Sequence, residues 1–383
     1  MIKKIEIENY KSLENLSMEL GRFNVLIGEN GCGKTNILES LVFAAAGVNG
    51  NIDPSSTFKS SRHPASVSAR GKIENSFIDL RGGRMSEPKS LRSGFEQKNV
   101  SEEIIIKISE NHKPAIELVF NNDNQPFSKW QYDISFKGPE FNLFFNPAAS
   151  LPSVTGRTLH KYHKFYEYII YAPENFFLRN VHINETYLEP IGSRGQGFLK
   201  LIKIIKKEKP QEYAEIIHHL HLIDWFDNFD INEDFNADSE FTLSDKYLED
   251  GLKSFDIRNA NEGFLFVLFY LTIFISDYTP KFFAIDNIDT ALNPKLCSKL
   301  ISVLAELAKK HDKQVIITTH NPSVLDGLNL NDDEERLFVI ARNKSGRTRA
   351  TRIEKKPAVN GTAPVKLSEQ FLRGYIGGLP KNF

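Results

Sequence analysis

The stretch GENGCGKT, residues 28–35, decides the fold of this sequence. It has the P-loop pattern G-x-x-x-x-G-K-[ST], whose glycines allow backbone amides to curl around phosphate oxygens. The apolar residues 23–27 before it predict a buried strand, and residues 37–46 after it, rich in Leu, Ala and Glu, predict a helix. Strand, glycine loop and helix therefore follow in the order that the motif requires, and the sequence predicts an α/β fold that binds a nucleotide.

The residue types of this loop have distinct expected roles. Lys34 would neutralise the terminal phosphates, and the Thr35 hydroxyl would ligate magnesium. The N-terminus of the following helix would add its dipole to phosphate binding. The candidate nucleotide-binding residues of this region are Gly28, Glu29, Asn30, Gly31, Cys32, Gly33, Lys34, Thr35 and Asn36.

A second motif, FFAIDNIDTALNP at residues 282–294, carries an apolar run into Asp286. A lone carboxylate at the tip of a buried strand is costly without a cation, so Asp286 is expected to hold magnesium directly or through an intervening ligand. The structural alternative, a helix N-cap before Leu292, could be filled by Asp289 or Thr290 instead. The next residue is Asn287, where chemistry of this kind usually has a glutamate.

A third candidate, His320, follows the apolar run VIITT, residues 315–319. A lone histidine is often only a satisfied polar group. Its position after a strand end, late in an α/β order, favours a function, and we expect it to sense the γ-phosphate.

Composition sets limits on partners and compartment. Among the 383 residues, 48 Lys and Arg nearly balance 49 Asp and Glu, so contact with DNA or an anionic membrane would have to come from local patches. Two cysteines, Cys32 and Cys297, argue against a disulfide framework and fit a reducing compartment. Residues 263–275 are apolar but too few to span a bilayer. We expect a cytoplasmic protein with no membrane contact.

The pattern along the chain predicts three segments. Residues 1–136 would form an N-terminal lobe with the P-loop and antiparallel strands at 104–108, 115–120 and 130–136. Residues 137–240 would be an inserted, partly helical arm, with a helix at 197–222. One face of this helix, expected to be solvated, with nucleic-acid binding as the alternative, carries Lys200, Lys203, Lys206, Lys207 and Lys209. Residues 241–383 would complete the head. Residues 53–98 are expected to form a mobile surface excursion whose Arg62, Arg70, Arg81, Arg84 and Arg92 are solvated or contact a polyanion.

The order NYKSL, GENGCGKTN, NEG, FFAIDNIDTALNP and TTHNP resembles the ABC-type ATPase heads of the SMC, RecF and OLD group. The resemblance implies a P-loop NTPase head with a mixed and parallel sheet flanked by helices and an inserted α+β arm. It implies ATP and Mg²⁺ as ligands, and a homodimer in which two heads enclose two ATP molecules. Asn261 and Gly263 would then reach the partner's γ-phosphate, residues 291–294 would couple the two sites, and Lys11 and Ser12 would lie near the base or sugar.

The sequence departs from this group in three places. Asn261 replaces the usual serine of the signature motif, and the magnesium-contacting glutamine has no clear position, Gln97 being one candidate. Asn287 replaces the carboxylate that accepts a proton from attacking water, and general-base help is worth about 10² to 10⁴ in rate. An amide cannot take that proton. We therefore expect a catalytic set of Lys34, Asp286, Asn287 and His320 that binds ATP tightly and hydrolyses it slowly; Asp289 should point elsewhere.

Effector chemistry is expected on another chain. OLD-type proteins append a nuclease, whereas a hairpin and a short tail follow His320, and His160 and His163 are predicted to be surface groups rather than ligands. A head of this kind resembles ATPase subunits of anti-phage systems of the RloA, Septu and PARIS types, which act with a separately encoded nuclease or toxin. Two alternatives stay open, namely a RecF-like clamp on duplex DNA and a nucleotide-bound scaffold without useful hydrolysis. The basic residues that would serve a DNA clamp are Arg342, Lys344, Arg347, Arg349, Arg352, Lys355 and Lys356.

Overall fold

The computed structural model describes most of the chain: residues 1–49, 51–52, 66–72, 81–84, 88–110, 115–125, 128–137, 164–180, 191–231, 241–249, 253–354 and 365–379. Arg62, His160, His163, Lys355 and Lys356, which were singled out above, lie outside these ranges.

The described residues form the following strands and α-helices. The strands are β1 (Ile2–Tyr10), β2 (Leu13–Glu19), β3 (Phe23–Ile27), β4 (Asn51–Ile52), β5 (Ser66–Lys72), β6 (Ile104–Glu110), β7 (Ala115–Asn121), β8 (Gln131–Lys137), β9 (Ile170–Tyr171), β10 (Phe226–Ile231), β11 (Phe241–Asp245), β12 (Ser254–Asp256), β13 (Phe282–Ile285), β14 (Gln314–Thr319), β15 (Glu335–Arg342) and β16 (Thr348–Ile353). The helices are α1 (Lys34–Asn49), α2 (Pro88–Leu91), α3 (Asn175–Arg179), α4 (Phe198–Glu208), α5 (Pro210–Leu220), α6 (Glu262–Ile275), α7 (Pro294–Lys310) and α8 (Leu367–Leu372).

A six-stranded sheet in the order β16-β15-β3-β14-β13-β9 forms the centre of the head. Every pairing in it is parallel except that of β15 with β16. The residues of β3, β13 and β14 are all buried, as expected for parallel strands covered on both faces. Since these strands are parallel, the segments that follow them meet at one edge of the sheet.

The second large sheet is antiparallel, in the order β2-β1-β6-β7-β8-β5-β4. It confirms the three antiparallel runs that the sequence predicts, and adds β2 and β5, which were not predicted. Helix α1 packs against this sheet through Phe43, whose ring lies 4.5 Å from that of Phe120 and 5.2 Å from that of Trp130. The same helix begins at the P-loop, so the packing of α1 fixes the loop relative to both sheets. The predicted α/β head with mixed and parallel sheets and flanking helices is confirmed.

Helix α6 is the apolar segment that composition singled out. Phe264 to Ile275 are all buried, and the helix packs against α3, α5 and α7. No helix of the described ranges has the length and apolarity needed to cross a membrane.

The middle of the chain contributes to the head as well as to the predicted arm. The helix expected at residues 197–222 is two helices, because Pro210 starts α5 directly after Lys209. Lys203 is only 3% exposed, with Nζ 5.3 Å from the Phe241 ring, so the expectation that it lies on a solvated face is wrong. Strand β9 pairs with β13 in the central sheet. The division at residues 136 and 240 remains a prediction.

Part of the predicted surface excursion is built into the core. Strand β5 pairs with β8 along its whole length. The Arg81 guanidinium donates to the Tyr168 carbonyl at 2.8 Å, and Arg92 is buried over the Trp130 ring. At these two positions the polar side chains bind a backbone carbonyl and a ring, and the expectation of a solvated loop is wrong for Arg81 and Arg92.

A buried glutamine joins the two sheets at their base. Gln314, the first residue of β14, is 3% exposed. Its Oε1 accepts from the Ile2 amide at 2.9 Å, and its Nε2 donates to the carbonyls of Ile2 and Gly21, each at 2.7 Å. One side chain thus satisfies backbone groups of β1 and of the turn before β3.

We expect Gln314→Glu to destabilise the fold by about 2 to 5 kcal/mol, because the isosteric carboxylate loses both donors and faces two carbonyl oxygens without a partner. Thermal unfolding monitored by circular dichroism measures the effect. The matched control is Gln97→Glu, the same change at an exposed position, which should leave the melting temperature unchanged. Equal melting temperatures for the two variants would contradict the role assigned to Gln314.

Candidate nucleotide-binding site

A cavity of about 370 Å³ opens at the carboxyl edge of the central sheet. Its walls come from the P-loop, from the segments after β13 and β14, and from the end of β15. The lining residues are Asn30, Gly31, Gly33, Lys34, Thr35, Asn36, Arg84, Asn287, His320 and Arg342. Residues predicted from three separate motifs therefore meet in one place, and two arginines join them.

The P-loop packs closely against two residues from distant segments, Ser12 and Thr348. A Cβ on Gly33, whose φ is 109°, would lie 2.3 Å from Thr348 Oγ1 and 2.8 Å from Ser12 Oγ. The Thr348 hydroxyl bonds to Ser12 Oγ and to the Cys32 carbonyl, each at 2.7 Å. Position 33 therefore requires glycine. The P-loop packs against both the β1–β2 turn and strand β16.

Lys34 folds back over its own loop. Its Nζ donates to the carbonyls of Gly28 at 2.8 Å and Glu29 at 3.0 Å. The side chain is mostly buried, and burial lowers the pKa of the Lys34 ammonium from its ordinary value. An ammonium held within the curl of the loop can be transferred to a phosphate oxygen with little rearrangement of the backbone.

The second group at the cavity consists of the Thr35 hydroxyl and the Asp286 carboxylate. Thr35 Oγ1 lies 3.2 Å from Asp286 Oδ2, and the hydroxyl of Thr318 also donates to Asp286. Among the described residues, no Lys, Arg or His forms an ion pair with this half-buried carboxylate. A hydroxyl and an uncompensated carboxylate are the hard oxygen donors that Mg²⁺ prefers, so these residues fit the predicted metal.

Asn287 occupies an unusual backbone conformation. Its φ is 56°, in the left-handed region that asparagine and aspartate tolerate better than most residues. The Thr318 hydroxyl accepts from its amide at 2.9 Å, and the Thr290 hydroxyl donates to its carbonyl at 2.8 Å. These bonds fix the backbone of Asn287, which is one of the residues that line the cavity. By contrast, Asp289 accepts from the Thr319 hydroxyl at 2.6 Å and is not part of that wall.

His320 lines the same cavity as the P-loop residues and interacts with the backbone of Gly28. Burial, and then the nearby Lys34 ammonium, lower the pKa of its imidazole, while Asp289 and Asp286 act in the opposite direction. The ring is therefore neutral at pH 7 and is suited to exchange a hydrogen bond with a phosphate oxygen.

Lys11 and Ser12 do not line the cavity. The Lys11 ammonium binds Glu39 Oε2 at 2.6 Å, and Ser12 Oγ accepts from the Asn36 amide at 2.8 Å. Both residues support the loop and α1 from beneath. Gly28, Glu29 and Cys32 belong to the loop but are not among the residues that line the cavity. Burial raises the pKa of the Cys32 thiol.

The signature residues lie away from this chain's own cavity. Asn261 caps α6, its Oδ1 accepting from the Phe264 amide at 2.8 Å, and its amide group stays exposed. A Cβ on Gly263 would approach the Ala291 carbonyl to 3.1 Å. The start of α6 thus touches the segment predicted to couple two sites, but contributes nothing to the wall around Lys34. Gln97 is exposed in a 3-10 helix (Gln97–Val100) and is likewise not among the lining residues.

Arg84 and Arg342 were not predicted as nucleotide contacts. Arg84 Nε binds Glu39 Oε1 at 2.6 Å; Glu39 is 1% exposed, whereas the Arg84 side chain is 67% exposed. Hydrogen bonding to Glu39 raises the pKa of Arg84. Arg342 Nε donates to the Gly31 carbonyl at 2.8 Å. The sequence marks both only as members of basic stretches, since the partners that place them are distant in the chain.

Comparisons with known proteins agree with this geometry. Residues 23–326 match the family model described as "AAA domain, putative AbiEii toxin, Type IV TA system". The curated protein "DNA replication and repair protein RecF" of Clostridioides difficile (strain 630) is 23% identical over 231 residues, which are 58% of this chain and 56% of that protein. The chain therefore spans about half the length of this relative.

Solved structures similar to this one include the SMC head domain from Thermotoga maritima, which is 13% identical. Its TM-score is 0.43, and the match covers 92% of this chain and 99% of that one. Another is the Smc head domain derived from Pyrococcus furiosus, with an extended coiled coil and bound to the C-terminal domain of ScpA, 12% identical, with a TM-score of 0.44 over 92% and 96% of the two chains.

The family match includes the P-loop, Asp286 and His320, and it extends over most of the sequence. This chain belongs to the AAA-domain family whose description names a putative AbiEii toxin of a Type IV TA system, and its P-loop lies in an α/β head.

Proposed function

We propose that this protein binds ATP with Mg²⁺, pairs with a second copy around the nucleotide, hydrolyses it slowly, and thereby regulates a separately encoded nuclease or toxin. The observation that carries the proposal is the convergence of Lys34, the Thr35–Asp286 pair, Asn287 and His320 on one cavity. Each of these groups suits a different part of a magnesium triphosphate.

Different residues of the chain would bind the phosphates, hold the metal and orient water. The loop amides and Lys34 bind the phosphates, and His320 faces them from the end of β14. Thr35 and Asp286 would hold Mg²⁺, which when bound neutralises charge on the phosphate oxygens. Asn287 orients water through its amide oxygen but does not remove a proton.

Slow turnover follows from Asn287. The described residues that line the cavity include no carboxylate, and the two nearby ones are already engaged, Asp289 by Thr319 and Asp286 by Thr35 and Thr318. The bound triphosphate would therefore persist. It would hold the two copies together rather than supply energy through rapid hydrolysis.

Pairing with a second copy would complete the site. Asn261 and Gly263 are displayed at the start of α6, away from the cavity of their own chain. A partner related by two-fold symmetry could present the same residues to the triphosphate. Residues 291–294 adjoin Gly263 and would connect the two sites.

The role in defence rests on the family and on the resemblance to ATPase subunits of anti-phage systems. The family description refers to a toxin of a Type IV TA system, which fits an ATPase that controls a toxic partner. A cytoplasmic location would suit such a partner.

Direct binding of duplex DNA is the second candidate, favoured by the similarity to RecF. The basic hairpin offers limited support for it. Arg347 is paired with Glu14 and Glu96, and Arg352 with Asp333. Lys206 on α4 is likewise bound to Asp230. Since phosphate contacts need cations that are not already paired, we favour the effector role.

The first test is nucleotide binding. Lys34→Ala should weaken ATP binding about 100-fold because a charged partner of the phosphates is lost. Asp286→Asn should bind ATP with an affinity that no longer depends on Mg²⁺. Isothermal titration with Mg²⁺ or EDTA measures both, with Lys344→Ala, an exposed lysine outside the cavity, as the control. Failure of the unaltered protein to bind ATP would refute the proposal.

The second test concerns turnover. Asn287→Glu should raise the rate of phosphate release by about 10-fold or more, since a carboxylate restores a general base. The control Asp289→Asn should not increase the slow rate. Fast hydrolysis by the unaltered protein, abolished by Asp289→Asn, would show that Asp289 is the base and that the clamp proposal is incorrect.

The third test concerns pairing of two copies. Asn261→Asp keeps the helix cap but places a negative charge where a partner's triphosphate would lie, so ATP-dependent dimers should be lost while each monomer still binds ATP. Asn261→Ser keeps both a cap and a donor and should still dimerise. Sedimentation velocity with Mg²⁺ and ATP distinguishes the cases; a mass that ignores ATP, or dimers of Asn261→Asp, would exclude this arrangement.

A further inference from the structure

Arg342 is placed at the nucleotide cavity by the topology of the sheet. It is the last residue of β15, which pairs in parallel with β3, the strand that leads into the P-loop. Its side chain is exposed, lines the same cavity as Lys34 and His320, and donates from Nε to the Gly31 carbonyl at 2.8 Å. The end of β15 thus contacts the loop directly.

The guanidinium of Arg342 has N–H donors that are not used within the described part of the chain. Within the described part of the chain, no carboxylate pairs with it and its two terminal nitrogens have no hydrogen-bond partner. The other arginines nearby differ in this respect. Arg347 and Arg352 of the same hairpin are paired with carboxylates, and Arg84 directs Nε and one terminal nitrogen to Glu39. Arg342 is therefore the arginine of this cavity best able to accept a new anion.

The position of Arg342 beside the P-loop indicates which anion it would bind. Lys34 Nζ bonds to the carbonyls of residues 28 and 29, and Arg342 Nε bonds to that of residue 31. The two cations thus bond to carbonyls on either side of Asn30 in the loop. Arginine recognises phosphate oxygens through two parallel N–H groups, and the terminal nitrogens of Arg342 are suited to that contact.

The rest of the hairpin is fixed. A Cβ on Gly346 would lie 3.2 Å from the Phe95 ring, Arg347 is bound to Glu96, and Thr348 is bound to the Cys32 carbonyl. An anchored hairpin holds the base of the Arg342 side chain near the loop and lowers the entropy lost when its tip binds.

We propose that Arg342 is a ligand of the terminal phosphates of the nucleotide bound by its own chain, and that it sets the preference for triphosphate over diphosphate. The inference rests on the proposed ATP binding and adds a cation that lies outside the P-loop and the other motifs. It also removes Arg342 from the set of residues available to bind DNA.

The experiment compares the affinities of the full-length protein for ATP and ADP, each with Mg²⁺, by isothermal titration. Arg342→Gln should raise the Kd for ATP about 10- to 100-fold, the loss expected for a charged hydrogen bond, and should raise the Kd for ADP less than about 3-fold. Arg342→Lys, which keeps the charge but not the paired donors, should be intermediate. The matched control is Arg349→Gln, the same change at an exposed position of β16 outside the cavity, and it should leave both affinities unchanged.

The outcomes separate the two levels of the proposal. Equal losses for ATP and ADP, or no loss, in Arg342→Gln and Arg342→Lys would overturn the role of Arg342 while leaving ATP binding intact. Loss of affinity for a short DNA duplex, with ATP binding unchanged, would overturn it too and assign Arg342 to a DNA surface. An unaltered protein that binds neither nucleotide would overturn both this inference and the proposed function. Melting curves of each variant check that the fold is retained.

Discussion

Parallel pairing in the central sheet is the constraint on which the site depends. Because β3, β13, β14 and β15 all run in one direction, the P-loop, Asp286, His320 and Arg342 emerge at the same edge. Residues from four distant parts of the sequence thereby become neighbours, and side-chain bonds such as those of Thr35 to Asp286 and of Arg342 to the Gly31 carbonyl join these parts. The buried strands supply the stability, and the polar residues at their ends are free to be selected for chemistry.

Electrostatics then explains why these ends suit a phosphate. Lys34 is buried against carbonyl oxygens, and Asp286 is held by hydroxyl groups rather than by a cationic side chain. Each group is thus stabilised incompletely by the protein, and a magnesium phosphate would complete both. Asn287 belongs to the same arrangement: its left-handed backbone suits a short amide side chain, so the residue that departs from the usual carboxylate is also the one that fits the local conformation.

Sequence patterns predicted the elements whose signals are local. Strands β3 and β13 appear with the predicted bounds because each is a largely apolar run next to a recognisable motif. The positions of Arg84 and Arg342 could not be predicted in this way. Their partners, Glu39 and the Gly31 carbonyl, lie 45 and 311 residues away in the sequence, so only the tertiary structure brings them together. Lys203 shows the converse, since helical periodicity places it near a polar face whereas a distant ring covers it.

Support of the P-loop from two remote segments has a consequence for where the cooperative unit of this protein ends. Ser12 and Thr348 fill the space behind Gly33, yet both lie outside residues 23–326, the span that defines the family. A polypeptide trimmed to that span would also lack β15 and leave β3, the strand that carries the loop, as an unprotected sheet edge. The boundaries recognised by sequence comparison are therefore narrower than the set of segments that support the P-loop.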